Sequence, residues 1–119
     1  MLSVNNIPQV DPIIYNQIAL NDLFTYAIFF LTQEGERISP ENMTAACYLL
    51  FPERFALRGY PQWPVSTVVN KRWIDCINKG FIMGSTAQDF SITPKCLSVA
   101  ERVVRFLQGQ RQIIAINKR

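Results

Sequence analysis

Apolar residues recur at helical spacing over four stretches of this chain and alternate at strand spacing over one. Leu20, Leu23, Phe24, Ala27, Phe30 and Leu31 trace the first stripe, and Tyr26, Ile28 and Phe29 widen it until the predicted helix is apolar nearly all round. Such a helix is either contacted on three sides within one core or partly covered by a second subunit. Asn21 or Asp22 is placed to cap it, and Gly35 follows its end. Ser39-Pro40 opens a second helix whose inner face is Met43, Ala46, Cys47 and Leu50 and which Pro52 ends. A third begins near Pro64 or Val65, where proline is preorganised for a first turn and Ser66 and Thr67 can cap. Its inward face is Val69, Trp73, Cys76 and Ile77; Thr67, Lys71 and Asn78 lie opposite, with Ser66, Asn70 and Arg72 at the margins. Ile74 and Asp75 also point outward, and Gly80 stops the helix.

The period then changes. Phe81, Ile82 and Met83 read as a short strand, Gly84 to Asp89 as a turn of about five residues or more, and Phe90 to Thr93 as a second, alternating strand. Pro94 ends that strand, and Leu97, Ala100, Val103, Val104 and Leu107 resume helical spacing. Upstream, residues 1–11 read as an arm and Ile13 to Ile18 as a short helix capped by Asp11-Pro12. Glu36 to Ile38 suits one short strand. Residues 109–119 have an apolar centre and a basic end, and either prolong the last helix into a dimer contact or fray.

Between the second and third helices lies FPERFALRGYPQWP, with three prolines, one glycine, two arginines and four aromatics. That composition makes a structured loop, not a tether. Tyr60 and Trp63 are expected to pack beneath the third helix. Arg54 and Arg58 either contact phosphates from the flank or pair with Glu53 or Glu41.

The helix ending in NKGFI, the hairpin and the following SITPKCLSVAERV together resemble the recognition helix, wing and closing helix of winged-helix DNA-binding domains, a resemblance that covers the chain from Ser39 onward. It implies an α+β fold: a mainly α, winged helix-turn-helix domain with a three-helix core, a wing hairpin and a C-terminal helix. Residues 1–119 would form that single domain. The chain departs from the family in having Cys96 where regulators of this kind carry glycine, and in the length of the segment from Phe51 to Trp63. The resemblance further implies double-stranded DNA as partner. Ser66, Thr67, Asn70 and Lys71 would then be the reading positions, Asn70 by pairing with adenine; Lys71 and Arg72 would neutralise backbone charge, and Arg58 and Lys95 are further candidate DNA contacts. The wing tip has no lysine or arginine, which leaves Gln88 and Ser85 as its contacts.

Charge supports that partner. Residues 1–53 hold one basic and six acidic residues, net −5, whereas residues 54–119 hold eleven and three, net +8. The basic half coincides with the helix–hairpin–helix unit. The chain has no histidine and three widely spaced cysteines, Cys47, Cys76 and Cys96, with no Cys-x-x-Cys pair. We therefore expect no metal site, no cofactor and no enzyme activity, and reduced thiols suit a cytoplasmic protein. Leu23 to Leu31, the longest apolar run, is too short to cross a bilayer, so no membrane partner is expected. A homodimer through the first and C-terminal helices, and a winged-helix module that binds protein instead of nucleic acid, are the remaining alternatives.

Overall fold

Among the described residues four helices begin on a proline, whose missing N–H costs nothing in a first turn. They are α1 (Pro12–Tyr15), α3 (Pro40–Leu50), α4 (Pro52–Phe55) and α6 (Pro94–Asn117). The structure, a computed structural model, describes the backbone of residues 7–117 and the side chains of residues 7–107. Two further helices, α2 (Leu20–Gln33) and α5 (Ser66–Asn78), and two antiparallel hairpins, β1 (Ala56–Leu57) with β2 (Tyr60–Pro64) and β3 (Ile82–Ser85) with β4 (Asp89–Ile92), complete a mixed α+β fold.

The caps follow local chemistry in two of the four cases expected. Asp11 accepts from the Ile13 N–H at 3.0 Å, and Ser39 from the Asn42 N–H at 3.2 Å. For α2 the expectation of a cap from Asn21 or Asp22 fails, because the cap position is Ala19 and has no side-chain bond. Asp22 instead lies in the first turn, where a carboxylate favours the helix dipole, and Asn21 is engaged by α5.

Helix α2 runs through the middle. Leu23, Phe24, Ala27, Ile28 and Leu31 are fully buried, and α3, α5 and α6 all pack on it. Contact from three helices accounts for its apolar girth within one chain. The α3 face of Met43, Ala46, Cys47 and Leu50 is buried as its spacing predicts. Among the described side chains of α6, Cys96, Val99, Ala100, Val103 and Leu107 are buried, while Leu97 and Val104 are half-buried. A smaller cluster of Ile14, Val103 and Leu107 shares Val10, Ile18 and Tyr26 with the main core, so the two are continuous. Each large apolar side chain so buried stabilises by about 1.5–3 kcal/mol.

Phe51 to Trp63 is more regular than a loop. Phe51 packs edge-on against Tyr15 and Tyr26 at centroid distances of 5.2 and 5.8 Å, and Phe55 lies beside it. The Glu53 N–H donates to Tyr15 Oη at 3.1 Å. Arg54 Nη1 donates to the carbonyls of Tyr15 and Ile18 at 3.1 and 2.8 Å, which takes Arg54 out of contention as a flanking phosphate contact. The hairpin β1–β2 follows, with Ala56 opposite Pro64 and Leu57 opposite Tyr60.

The other elements differ from their expected bounds only locally. Pro64 is the last residue of β2, and α5 begins at Ser66 with Val65 as an extended cap whose N–H donates to Phe55 O at 2.9 Å. Ser66 and Thr67 make no capping bond. The turn between β3 and β4 has only three unpaired residues, Thr86 to Gln88, because Ser85 still pairs with Asp89. The strand expected at Glu36 to Ile38 is reduced to one bridge, Ile38 to Phe90. Helix α6 starts at Pro94, includes Cys96 in ordinary helical backbone and continues through Gly109 to Asn117. Of the N-terminal arm, Ile7 and Val10 pack against the core, and residues 1–6 lie outside the described part. Among the described residues no helix is long and apolar enough to cross a membrane.

Candidate nucleic-acid interface

Helix α5 has two unlike faces. Val69 and Cys76 are buried in the core cluster, whereas Ser66, Thr67, Asn70, Lys71, Ile74 and Asn78 are exposed. Trp73 joins the two sides, half-buried, with its ring 5.4 Å from that of Phe90 on β4. Ile77, expected inside, is 37% exposed, because the helix rests on its Val69–Trp73–Cys76 edge and Ile77 falls past the contact.

The C-terminal end of α5 is closed tightly. Gly80 has φ +77°, which lets Phe81 N–H reach Cys76 O at 2.8 Å and Gly80 N–H reach Ile77 O at 3.1 Å. Thr93 Oγ1 donates to Gly80 O at 2.7 Å and accepts from the Cys96 N–H at 3.3 Å, tying the end of α5 to the start of α6. Helix, hairpin and closing helix therefore hold one another in place. Local sequence patterns did not reveal this Thr93 link.

The expected interface residues divide by what already holds them. Ser66, Thr67 and Lys71 are exposed on the outer face of α5. Asn70 is exposed too, and its Oδ1 accepts from Trp73 Nε1 at 3.1 Å. A carbonyl oxygen has a second lone pair, so the same amide retains an acceptor and its two donors for a base edge. Arg58 stands exposed where β1 turns into β2, and Gln88 is exposed in the β3–β4 loop. Lys95 is exposed but partly committed: its Nζ donates to Lys79 O at 2.9 Å, at the negative end of the α5 dipole, and lies 5.4 Å over the Phe81 ring.

Arg72 departs from its expected place at the exposed margin. Its Nη1 donates to Asn21 Oδ1 at 3.1 Å, its Nη2 lies 3.7 Å from the Asp75 carboxylate, and only 18% of the side chain is accessible. Two partners on α2 and on its own helix draw it inward, and its Nε is buried without a bond. Arg72 thus fastens α5 to the start of α2 and is not offered to a phosphate.

Tyr60 and Trp63 were expected beneath α5 and are outside it. They are 51% and 53% exposed, and their rings stack with centroids 5.3 Å apart and planes 15° from parallel. Phe51 and Phe55 already close the core cluster that receives Val69 and Cys76, leaving the hairpin outside it. From Ala56 to Ile74 the chain carries Arg58, Lys71 and Arg72 and no acidic residue.

The three thiols are buried and unpaired. Burial pushes Cys96 up to about 11 and Cys76 up to about 12, and it raises Cys47 as well. Thiols held neutral in this way are poor nucleophiles and poor metal ligands. Among the described residues no group of histidine, cysteine or acidic side chains is arranged to hold a metal ion.

The chain matches no family model, no curated protein and no solved structure.

Proposed function

We propose that this protein is a winged-helix binder of double-stranded DNA, acting as a transcriptional regulator or as the DNA-reading part of a larger system. In this reading α2, α3 and α5 are the three-helix core, β3–β4 is the wing and α6 closes the domain. The observation that carries it is the division of α5, with Val69 and Cys76 buried and Ser66, Thr67, Asn70 and Lys71 exposed together. An exposed helix of this kind fits the major groove, where its N-terminal half meets base edges. The basic C-terminal half, net +8, supplies the attraction to phosphate.

Titration into duplex DNA at about 50 and about 200 mM salt tests the reading, since each phosphate contact adds about 0.9 to the slope of log affinity against log salt. Affinity should fall with salt and fall further in Lys71→Glu. Absent binding at the lower salt, or binding that ignores salt, removes the proposal.

A second reading, a winged-helix module that docks on protein, draws on a different observation. Ile74, Ile77 and Met83 are 47%, 37% and 61% exposed along α5 and β3. If Ile74→Asp abolishes biological activity while Lys71→Glu preserves it, the protein-docking reading replaces the first.

A further inference from the structure

The exposed aromatic side chains that the functional reading leaves unused, Tyr60 and Trp63, stand on the β1–β2 hairpin beside Arg58, already a candidate phosphate contact. All five residues of β2, Tyr60–Pro64, are exposed. Two-stranded ribbons are marginal in water, yet this one is held at several points. Tyr48 Oη donates to Pro61 O at 2.9 Å, Val65 N–H donates to Phe55 O at 2.9 Å, and Ala56 faces Pro64. Stacking restrains the two rings, so covering them loses little side-chain freedom. Pro61 and Pro64 lack N–H donors, which makes β2 unsuited to receiving another strand. It presents ring faces instead of a ladder.

Position and charge name the occupant. Trp63 precedes Ser66 by three residues, which an extended chain spans in about 11 Å at most. The stack therefore lies beside the N-terminus of α5, the end that a reading helix turns toward the groove. Arg58, at the hairpin's turn, belongs to the acid-free stretch from Ala56 to Ile74, a charge pattern complementary to a polyanion. We infer that Tyr60, Trp63 and Arg58 form a second contact with double-stranded DNA, flanking the site read by α5. Arg58 meets a phosphate, and the ring pair lies against deoxyribose and the edge of the adjoining base step. This inference rests on the DNA-binding reading of α5 and extends it to aromatics that face solvent in the free protein.

Anisotropy of a labelled mixed-sequence duplex, titrated with the full chain at two salt concentrations, separates the two claims. The Tyr60→Ala/Trp63→Ala variant should lose about tenfold in affinity, the scale of aromatic stacking on nucleic acid, with its salt slope unchanged. Arg58→Ala should lower the slope by about 0.9. Tyr60→Phe/Trp63→Phe, which preserves two stackable rings, should bind nearly as the parent does. In a Trp73→Phe background the emission of Trp63 should change on adding DNA. If the parent binds DNA in a salt-dependent way and the double alanine variant, with an unaltered melting curve, binds equally well, the hairpin contact is wrong and the α5 reading stands. If the parent fails to bind, both fall.

Discussion

Arg37 and Asp89, separated by 52 residues, form an ion pair in which the guanidinium Nε donates to the carboxylate. The hydrogen bond to Asp89 raises the Arg37 pKa above its usual value. Phe90, the next residue, donates its N–H to Ile38 O at 3.0 Å, so the hairpin β3–β4 is fastened before α3 by a side-chain and a backbone link side by side.

Asp89 has φ +65° and is the one non-glycine residue in the left-handed region among the described residues. Aspartate tolerates that backbone better than alanine does. Asp89→Ala should therefore destabilise by about 1–2 kcal/mol, with Asp89→Gly losing less because glycine removes the backbone penalty. Arg37→Ala, which removes an exposed pair, should shift the urea midpoint only slightly, and less at high salt. Equal midpoints for the alanine and glycine variants would refute the backbone account.

Gly84 on β3 has φ +122°, and a Cβ there would stand 2.4 Å from the Asp89 carbonyl oxygen. The obstacle is backbone paired across the hairpin, so it cannot swing aside. Gly84→Ala should cost about 3 kcal/mol or more in thermal or urea unfolding. A melting curve like the parent's would mean the hairpin is not formed as described.

Arg54 and Arg58 look alike in sequence and should behave differently. Arg54 Nη1 is bonded to the carbonyls of Tyr15 and Ile18, at and just past the end of α1, and removing it takes a charged donor from both, although Tyr15 O keeps the Ile18 N–H at 3.1 Å. Arg54→Ala should lower stability by about 1–2 kcal/mol. Arg58→Ala, on an exposed turn, should leave stability within about 0.5 kcal/mol. Chemical denaturation of the two variants checks this, and reversal of the order would contradict the assigned contacts.

The buried thiols fix a pH dependence. Cys76 and Cys96 are held at about 12 and about 11 by burial in the folded protein, against about 8.5 in an unfolded chain. The folded state therefore binds these protons more tightly. Their contribution to stability is full below about 8.5 and is lost as pH rises toward the folded values. Unfolding free energy should fall between pH 9 and 11, on the order of 1.4 kcal/mol per pH unit for each thiol that ionises only on unfolding. At pH 8 a thiol reagent should label the native protein slowly and all three cysteines quickly in denaturant. Rapid labelling of the native chain would overturn the burial argument.

Helix faces and element ends were legible because their signals are local. The spacing of Met43, Ala46, Cys47 and Leu50, the Ser39-Pro40 start, the Gly80 stop and the strand ended by Pro94 each depend on neighbours within a few residues. The exposed polar face of α5 followed from the same periodicity, and so did the inward turn of Val69 and Cys76. The differences arise where burial and pairing depend on residues far apart in sequence. Tyr60 and Trp63 carry the composition of core residues, and nothing in the sequence says that Phe51 and Phe55 have already filled the cluster beside α5.

Arg72 gives the same lesson for charge. At its position on the helix it belongs to the outer margin, yet Asn21, 51 residues away, turns it inward. By itself the sequence determined the four longer helices, the β3–β4 hairpin and most of the apolar face of each helix, because backbone preference and side-chain periodicity act over a turn or two; it did not show α4 or the β1–β2 hairpin. The tertiary structure alone decided which aromatics stay in solvent, which arginines are spent on carbonyls and amides, and how the hairpin is fastened, because burial and pairing depend on residues that only folding brings together.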